Sequence, residues 1–296
     1  MSRFIQIHAL TVYAPSNLNR DDTGRPKTAK FGGAERLRIS SQALKRAIRT
    51  SEAFMTRVKG HQGERTQRLG VDIRAHLIAK GMAEDQATKG ARAIAEVFGK
   101  SKPEGDANPT YIEQLAFISP VERDAALAFA DKLAAGEKLP DKAALTAEIL
   151  RKTDTAADIA MFGRMLADNP DFNREAAVQV AHAITTHKVE VEDDFYTAVD
   201  DLKTSSEDAG AGFIGELGFG SGVFYIYACI DRALLEKNLG GDKALAETAI
   251  AALVEGLATS SPTGKQASFA SRSRASYMRV EKGSQQPRQL SAAFFK

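Results

Sequence analysis

A basic stretch beginning at Ser40 offers the best local arrangement for binding an anion. Ser40 or Ser41 can cap a helix that runs to about residue 52. Lys45 and Arg49 are four residues apart, so they share an outer face with Gln42, and Arg46 lies beside them. Amide groups at a helix start, together with hydroxyls and cations, are suited to bind phosphates. The alternative is a capped amphipathic helix with solvated cations, and the pattern alone leaves both open.

The loop over residues 15–33 supplies further cations. Arg20 and Lys27 belong to this loop, as do Arg25 and Lys30, and they would track a nucleic-acid backbone along a sheet edge. Asp21 and Asp22 permit a different interpretation, a nuclease carboxylate. Metal-dependent cleavage needs several convergent carboxylates, and no second acidic motif points to this loop, so turn-forming aspartates are favoured.

Other motifs do not form a catalytic constellation. His182 and His187 are an odd interval apart, so on a strand they would face opposite sides and not share a metal. Gly218-x-Gly-x-Gly222 precedes a strand where a dinucleotide site needs a helix. Thr263-Gly-Lys265 lacks the earlier glycine of a P-loop. We therefore expect no enzymatic activity, no metal site and no cofactor.

The pattern of hydrophobic residues predicts the strands and helices that carry these polar and charged side chains. Alternation predicts strands near residues 4–12, 36–40, 178–184, 223–230 and 277–280. Helical spacing dominates residues 62–168, and Asp242 can cap a helix through Leu257. Strand and helix thus follow the order of an α+β, ferredoxin-like or RRM-like fold, interrupted by a helical insertion.

A glycine-rich segment over 208–222 contains six glycines, too many for a helix or a regular strand interior. Phe213, Ile214 and Leu217 would give this segment apolar tips that can wedge between bases. The alternative is a mobile loop that covers a neighbouring core.

Charge is unevenly distributed although the net charge is only +2. Residues 20–49 hold nine Lys/Arg and three acids, and residues 260–296 hold seven Lys/Arg and one acid. Residues 190–208 hold eight acids and one lysine. This separation is typical of a chain with a polyanion partner and complementary protein neighbours. A single cysteine and the lack of an apolar leader favour a cytoplasmic protein without membrane association.

Several motifs in the same order resemble the backbone subunit of the type I-E CRISPR Cascade complex, a member of the RAMP superfamily. The matching segments are Asn19–Asp22, Phe31–Gly33, Arg38–Arg46, Ala181–His187, Phe195–Asp201 and Ser221–Tyr225. The resemblance covers most of the chain and is weakest in the helical block. It implies an RRM-like palm, helical fingers and a Gly-rich thumb. The boundaries are palm 1–58, fingers 59–176, palm strand 177–192, thumb 193–222 and palm 223–296, the last part expected to be incomplete because relatives continue further.

The resemblance also implies a function and a set of contacts. Copies of the subunit wind along CRISPR RNA beside other Cascade subunits, and each thumb kinks the guide at six-nucleotide intervals so that it can pair with target DNA in antiviral defence. The residues implied in RNA binding are Arg20, Lys27, Ser40, Gln42, Lys45, Arg46, Arg49 and Arg164. Met165, Phe213, Ile214 and Leu217 are the implied wedges, and Lys138 and Lys142 are possible DNA contacts.

Two other functions remain open at this point. A related backbone subunit of type III complexes cleaves target RNA with a loop aspartate, here Asp21 or Asp22. A stand-alone RNA-binding module would need no further copies of the chain.

Overall fold

The computed structural model describes residues 2–198 and 213–295, except for the side chain of Phe213. The described chain forms two compact units. The first comprises residues 1–54, 180–229 and 253–296, and the second comprises residues 55–179 and 230–252. In the described part, no helix is long and apolar enough to cross a membrane.

The secondary-structure elements alternate between strands and helices. The strands are β1 (Phe4–Ser16), β2 (Thr28–Phe31), β3 (Ala34–Ile39), β4 (Glu64–Thr66), β5 (Ala116–Ile118), β6 (Val178–Val180), β7 (Ala183–Thr185), β8 (Glu192–Ala198), β9 (Phe213–Asp231) and β10 (Ala275–Gly283). The helices are α1 (Ser41–Arg49), α2 (Glu52–Arg57), α3 (Leu69–Ala79), α4 (Glu84–Ala95), α5 (Pro120–Ala134), α6 (Lys142–Ile149), α7 (Ala157–Phe162), α8 (Arg232–Asn238), α9 (Lys243–Thr259) and α10 (Gln266–Phe269).

The first unit is built on an antiparallel-paired sheet with the order β10-β1-β9-β7-β3-β2. In chain order, β1, α1, β7, β9, α9 and β10 follow the ferredoxin-like, RRM-like arrangement, with β1 and β9 at the centre of the sheet. The predicted α+β, RRM-like fold is therefore confirmed. The hairpin β2–β3 extends the sheet beyond β7.

Within this unit, α1 packs closely against the part of α9 from residue 253 onward. A Cβ added at Gly256 would lie 2.8 Å from Ile48 Cγ2, so a larger residue there would push the helices apart. Leu44 and Ile48 are buried, as the helical spacing predicted. The N-cap of α9 is the side chain of Asp242, which accepts a hydrogen bond from the Leu245 amide at 2.9 Å.

The C-terminal segment packs against aromatic residues of the sheet. The Leu290 amide donates a hydrogen bond to the Tyr225 hydroxyl at 2.9 Å, and the Phe294 ring lies 5.6 Å from the Tyr225 ring. Arg36 is fully buried and donates hydrogen bonds to the carbonyls of Phe31, Thr185 and Phe294. Arg36 therefore adds structural support and little surface charge to the basic 20–49 region.

The glycine-rich segment differs from the prediction. Residues 213–222 are part of the long strand β9, where we expected no regular strand interior. At two glycines of this strand, neighbouring side chains lie at close range. A Cβ at Gly220 would lie 2.8 Å from Leu37, and one at Gly215 would lie 2.5 Å from Tyr196. The rest of the segment lies outside the described residues.

The second unit is mainly helical around one apolar core. Ile73, Leu77, Ala91 and Ile94 are fully buried in it, in agreement with the predicted helical spacing. A small sheet of β4 and β5 also lies within this unit, which the sequence pattern did not indicate.

Candidate nucleic-acid interface

The start of α1 is fixed by two hydrogen bonds. The Ser40 hydroxyl accepts a hydrogen bond from the Ala43 amide at 3.2 Å, and the Ser40 amide donates to Asn19 Oδ1 at 2.8 Å. Ser40 is only 7% exposed. The predicted cap at Ser40 is confirmed. Asn19 therefore joins the loop before β2 to the start of α1.

The cations of α1 differ in their surroundings. Gln42 and Arg46 are exposed, whereas Lys45 and Arg49 are half-buried. Burial lowers the pKa of the Lys45 ammonium below its ordinary value. An approaching phosphate would offset that cost, because an opposite charge favours the ionised amine.

A second group of cations lies beside the start of α1. Asn19, Lys27 and Arg38 line the same small depression. Arg38 donates a hydrogen bond to His182 Nδ1 at 3.1 Å. Burial lowers the pKa of the His182 imidazole, and the charges of Arg38 and Lys27 lower it further. Sequence reasoning missed Arg38 and His182 as site residues, although both stand within the motifs that carry the resemblance.

The loop before β2 is held in a defined conformation. The Asp21 carboxylate accepts hydrogen bonds from the Thr23 hydroxyl at 2.8 Å, the Thr23 amide at 2.9 Å and the Arg25 amide at 3.0 Å. These bonds, the Thr23 hydroxyl first, lower the pKa of Asp21. Asp21 is therefore a turn-forming residue, and Arg20 is presented next to it on the surface. Among the described residues, no group of three or more acids, histidines or cysteines could hold a metal.

The hairpin of β8 and β9 is tied to the same loop. Arg25 forms a bidentate ion pair with Asp193, with Nη1 2.8 Å from Oδ1 and Nη2 3.2 Å from Oδ2. The buried Asn17 donates hydrogen bonds to the carbonyls of Gly24 and Gly218. The hairpin is therefore anchored at its base to the loop that carries Arg20 and Lys27.

The predicted apolar wedges lie on different faces of the hairpin. Ile214 pairs with Thr197, and it shares a face with Phe195; Ile214 is 61% exposed and Phe195 66% exposed. Leu217 pairs with Asp194 on the other face and is partly buried. Ile214 is thus the better-exposed of these two candidates. The side chain of Phe213 lies outside the described residues.

Arg164 does not occupy the predicted position at the surface. Its side chain is fully buried, Nη1 lies 2.5 Å from Glu122 Oε2, and Nη2 donates to the carbonyls of Arg151 and Phe172. The sequence-based prediction of a backbone contact at Arg164 is therefore wrong, because the charge is neutralised inside the second unit. A neighbouring buried pair joins Arg174 Nη1 to Asp154 Oδ1 at 3.2 Å.

This buried network presents Met165 to solvent. Arg164 and Arg174 pair through their backbones at 3.0 and 2.9 Å, and Gly163 takes a positive φ of 79° at the start of the turn. Leu166 is buried on the other side. Met165 alternates with these inward side chains and is 79% exposed, which is the exposure a wedge residue would need.

Lys138 and Lys142, the predicted DNA contacts, belong to the second unit. Lys138 is exposed in the loop between α5 and α6, and Lys142 is exposed as the first residue of α6. Asp141 caps this helix by accepting a hydrogen bond from the Ala144 amide at 2.9 Å. Neither lysine forms an ion pair within the described ranges.

The fold and this surface define an RRM-like α+β protein in which cations line a strand-to-helix junction. Residues 5–296 match the model of the CT1975-like protein family, so the chain belongs to that family.

Comparisons with solved structures agree with this assignment. A chain of a CRISPR RNA-guided surveillance complex described as pre-nicking is similar, with 33% identity, a TM-score of 0.87, and coverage of 98% of this chain and 81% of that chain. A chain of another CRISPR RNA-guided surveillance complex shows 28% identity, a TM-score of 0.74, and coverage of 99% and 80%. A search of curated proteins found no match.

Proposed function

We propose that this chain is a non-catalytic, CRISPR RNA-binding backbone subunit of a type I-E Cascade surveillance complex. In this role, copies of the chain assemble along the guide RNA in the cytoplasm with other Cascade subunits. They kink the guide at six-nucleotide intervals and support its pairing with target DNA. The family membership and the similarity to chains of CRISPR RNA-guided surveillance complexes support this proposal.

The observation that carries the RNA-binding proposal is the cationic strand-to-helix junction. Lys45 and Arg49 share one face of a helix whose start is fixed by Ser40 and Asn19, and Lys27 and Arg38 line a depression beside Asn19. Lys45 and Arg49 are half-buried and Arg38 is hydrogen-bonded to His182, so these cations have less freedom to lose when they bind a phosphate. These contacts position the RNA strand without reading its sequence, and base pairing with the target supplies specificity.

Two exposed apolar groups are suited to interrupt base stacking. Met165 protrudes from a turn fixed by buried ion pairs, and Ile214 lies with Phe195 on an open face of the hairpin. Insertion of an apolar side chain between bases costs about a few kcal/mol of stacking energy per step, which backbone contacts offset. We assign the kinking of the guide to these side chains.

The exposed acids of β8 are candidates for the contact between copies. Glu192 and Asp194 are exposed on this strand, and Glu190 precedes it. A basic surface on the next copy would complement them and fix the order of assembly. Lys138 and Lys142, which are exposed on the second unit, would contact the phosphates of the target DNA.

A salt series with a single-stranded RNA oligonucleotide tests the interface. We expect the variant Lys45→Glu, Arg49→Glu to bind RNA at least tenfold more weakly, with a smaller dependence of affinity on salt. The variant Lys237→Glu, Lys243→Glu is the control, because it makes the same change of charge at two exposed residues of the second unit to which no contact is assigned. Equal RNA affinity and salt slope for wild type and the first variant would refute the assignment.

Two further measurements test the rest of the proposal. The mass of the purified assembly with guide RNA should correspond to several copies per guide, and a single copy would favour the stand-alone module. Incubation of the assembly with complementary RNA and Mg²⁺ should leave the RNA intact. Regular cleavage that is lost in Asp22→Ala would instead indicate a type III-like nuclease.

A further inference from the structure

A cleft of about 370 Å³ lies between α1 and the segment over residues 259–273, in the first unit. We propose that this cleft binds one phosphodiester of the RNA strand together with an adjoining ribose. The inference rests on the proposed function, since it assumes that the RNA strand lies along α1. It adds Arg272 and the segment over residues 259–273 to the RNA contacts that the resemblance implied.

The cleft has a fixed floor. The buried Tyr13 donates a hydrogen bond from its hydroxyl to Ser261 Oγ at 3.0 Å, and Ser261 donates to the carbonyl of Ser273 at 3.2 Å. A Cβ at Gly264 would lie 2.3 Å from the carbonyl oxygen of Leu18, so only glycine permits this close approach of the segment to the end of β1. These contacts hold Ser261 and Gly264 against β1 and the residues that follow it.

The lining of the cleft has the chemistry of an anion site. Arg46 from α1 and Arg272 from the opposite wall are both exposed, and neither forms an ion pair in the part of the chain that the structure describes. The lining contains seven serines and threonines and no acid. A guanidinium matches the geometry of a phosphate through paired hydrogen bonds, so two arginines can hold one phosphodiester from both sides.

The serine and threonine hydroxyls of the cleft favour RNA over other polyanions. Ser260 and Thr263 line the same cleft as the two arginines. Serine and threonine hydroxyls both donate and accept hydrogen bonds, as does the ribose 2′-hydroxyl that distinguishes RNA from DNA. Arg46 follows Lys45 in α1 and is turned about 100° from it around the helix axis, so a strand that crosses α1 can contact both.

A second cleft of similar size in the first unit has a different lining. That second cleft, of about 330 Å³, is lined by Asp21, Glu35 and Glu190 with Arg25. Its acids would repel a phosphate at neutral pH. Of these two clefts in the first unit, only the one with Arg46 and Arg272 suits a polyanion.

The test uses the full chain and a single-stranded RNA oligonucleotide, with anisotropy measured over a salt series. We expect Arg272→Ala to weaken binding by three- to tenfold and to reduce the salt slope by about 0.7, the value for one lost phosphate contact on a single strand. Arg274→Ala is the matched control, since Arg274 is also exposed but does not line the cleft. Arg272→Lys should recover part of the affinity, because it keeps the charge and loses the fork geometry.

The outcomes separate this inference from the proposed function. If Lys45→Glu, Arg49→Glu weakens RNA binding while Arg272→Ala behaves as Arg274→Ala does, the cleft is not a contact and the proposed function stands. If wild type does not bind RNA at all, both are overturned. If Arg272→Ala weakens RNA binding and lowers the salt slope while Arg274→Ala does neither, the cleft is a contact for the RNA strand.

Discussion

The carboxylate of Glu122 lies 2.5 Å from the guanidinium of Arg164, and neither side chain is exposed to solvent. Glu122 also completes a capping box at the start of α5, where it accepts a hydrogen bond from the Ser119 amide at 3.1 Å. One buried carboxylate thus holds both a helix start and the turn that presents Met165.

We expect Glu122→Gln to lower the free energy of unfolding by about 3–5 kcal/mol, because it leaves the Arg164 charge buried without a partner. Urea unfolding measures this change. The control is Asp72→Asn, which removes an exposed ion pair with Arg123 at 2.7 Å and should cost less than about 1 kcal/mol. Equal losses for the two variants would contradict the structural role of Glu122.

The hydrogen bond between Ser40 and Asn19 leads to a second prediction. Asn19→Ala leaves the Ser40 amide without its acceptor and should destabilise the protein by about 1–3 kcal/mol. Asn19→Asp keeps an acceptor and should restore most of the stability. Its added negative charge should still weaken RNA binding, since it lies beside Lys27 and Arg38. Normal RNA affinity in Asn19→Asp would place the strand elsewhere.

The pKa of Lys45 predicts how RNA affinity depends on pH. Burial lowers this pKa in the free protein, and a bound phosphate raises it again. Near the lowered pKa, the protein–RNA complex therefore binds more protons than the free protein and free RNA together. Affinity should therefore fall as the pH rises through that pKa, below the ordinary value of lysine. Lys45→Arg should keep RNA binding and lose this decrease, because a guanidinium stays charged. A decrease of the same size in both proteins would assign it to another group.

Because Met165 is exposed, its effect on RNA geometry can be tested without a change in the stability of the fold. Because Met165 is 79% exposed, Met165→Ala should change the free energy of unfolding by no more than about 0.5 kcal/mol. In the assembled complex it should reduce the unstacking of guide bases, which a fluorescent base analogue at successive positions reports. Val71→Ala, at another exposed apolar residue of the second unit, should leave the fluorescence pattern unchanged. An unchanged pattern in Met165→Ala would remove Met165 as a wedge.

The buried His8 predicts a loss of stability in acid. Burial lowers the pKa of its imidazole, although the charge of Glu281 opposes this, and His8 Nδ1 lies 2.8 Å from the Tyr225 hydroxyl. The unfolded chain therefore binds more protons at His8 than the folded chain does below about pH 6.5. The contribution of His8 to the free energy of unfolding is therefore present above that pH, and it is lost as the pH falls toward the lowered pKa. Unfolding at pH 5 and pH 7.5 should show a smaller difference in His8→Gln than in wild type.

The sequence by itself determined the elements whose causes are local. Ser40 caps α1, Leu44 and Ile48 form its buried face, and Asp242 begins α9, all as predicted. Caps and amphipathic spacing depend on residues within one or two helical turns, so they can be read from neighbouring positions. The order of these elements was also sufficient to predict the ferredoxin-like fold.

Only the tertiary structure decided which charged side chains are paired with residues far away in the sequence. The sequence could not show that Arg164 is neutralised by Glu122 or that Arg38 meets His182. It also gave no sign that Arg46 and Arg272, far apart in the chain, would line one cleft. A charged side chain has the same local pattern whether it is solvated or buried in an ion pair, because its desolvation is set by residues that only folding brings near.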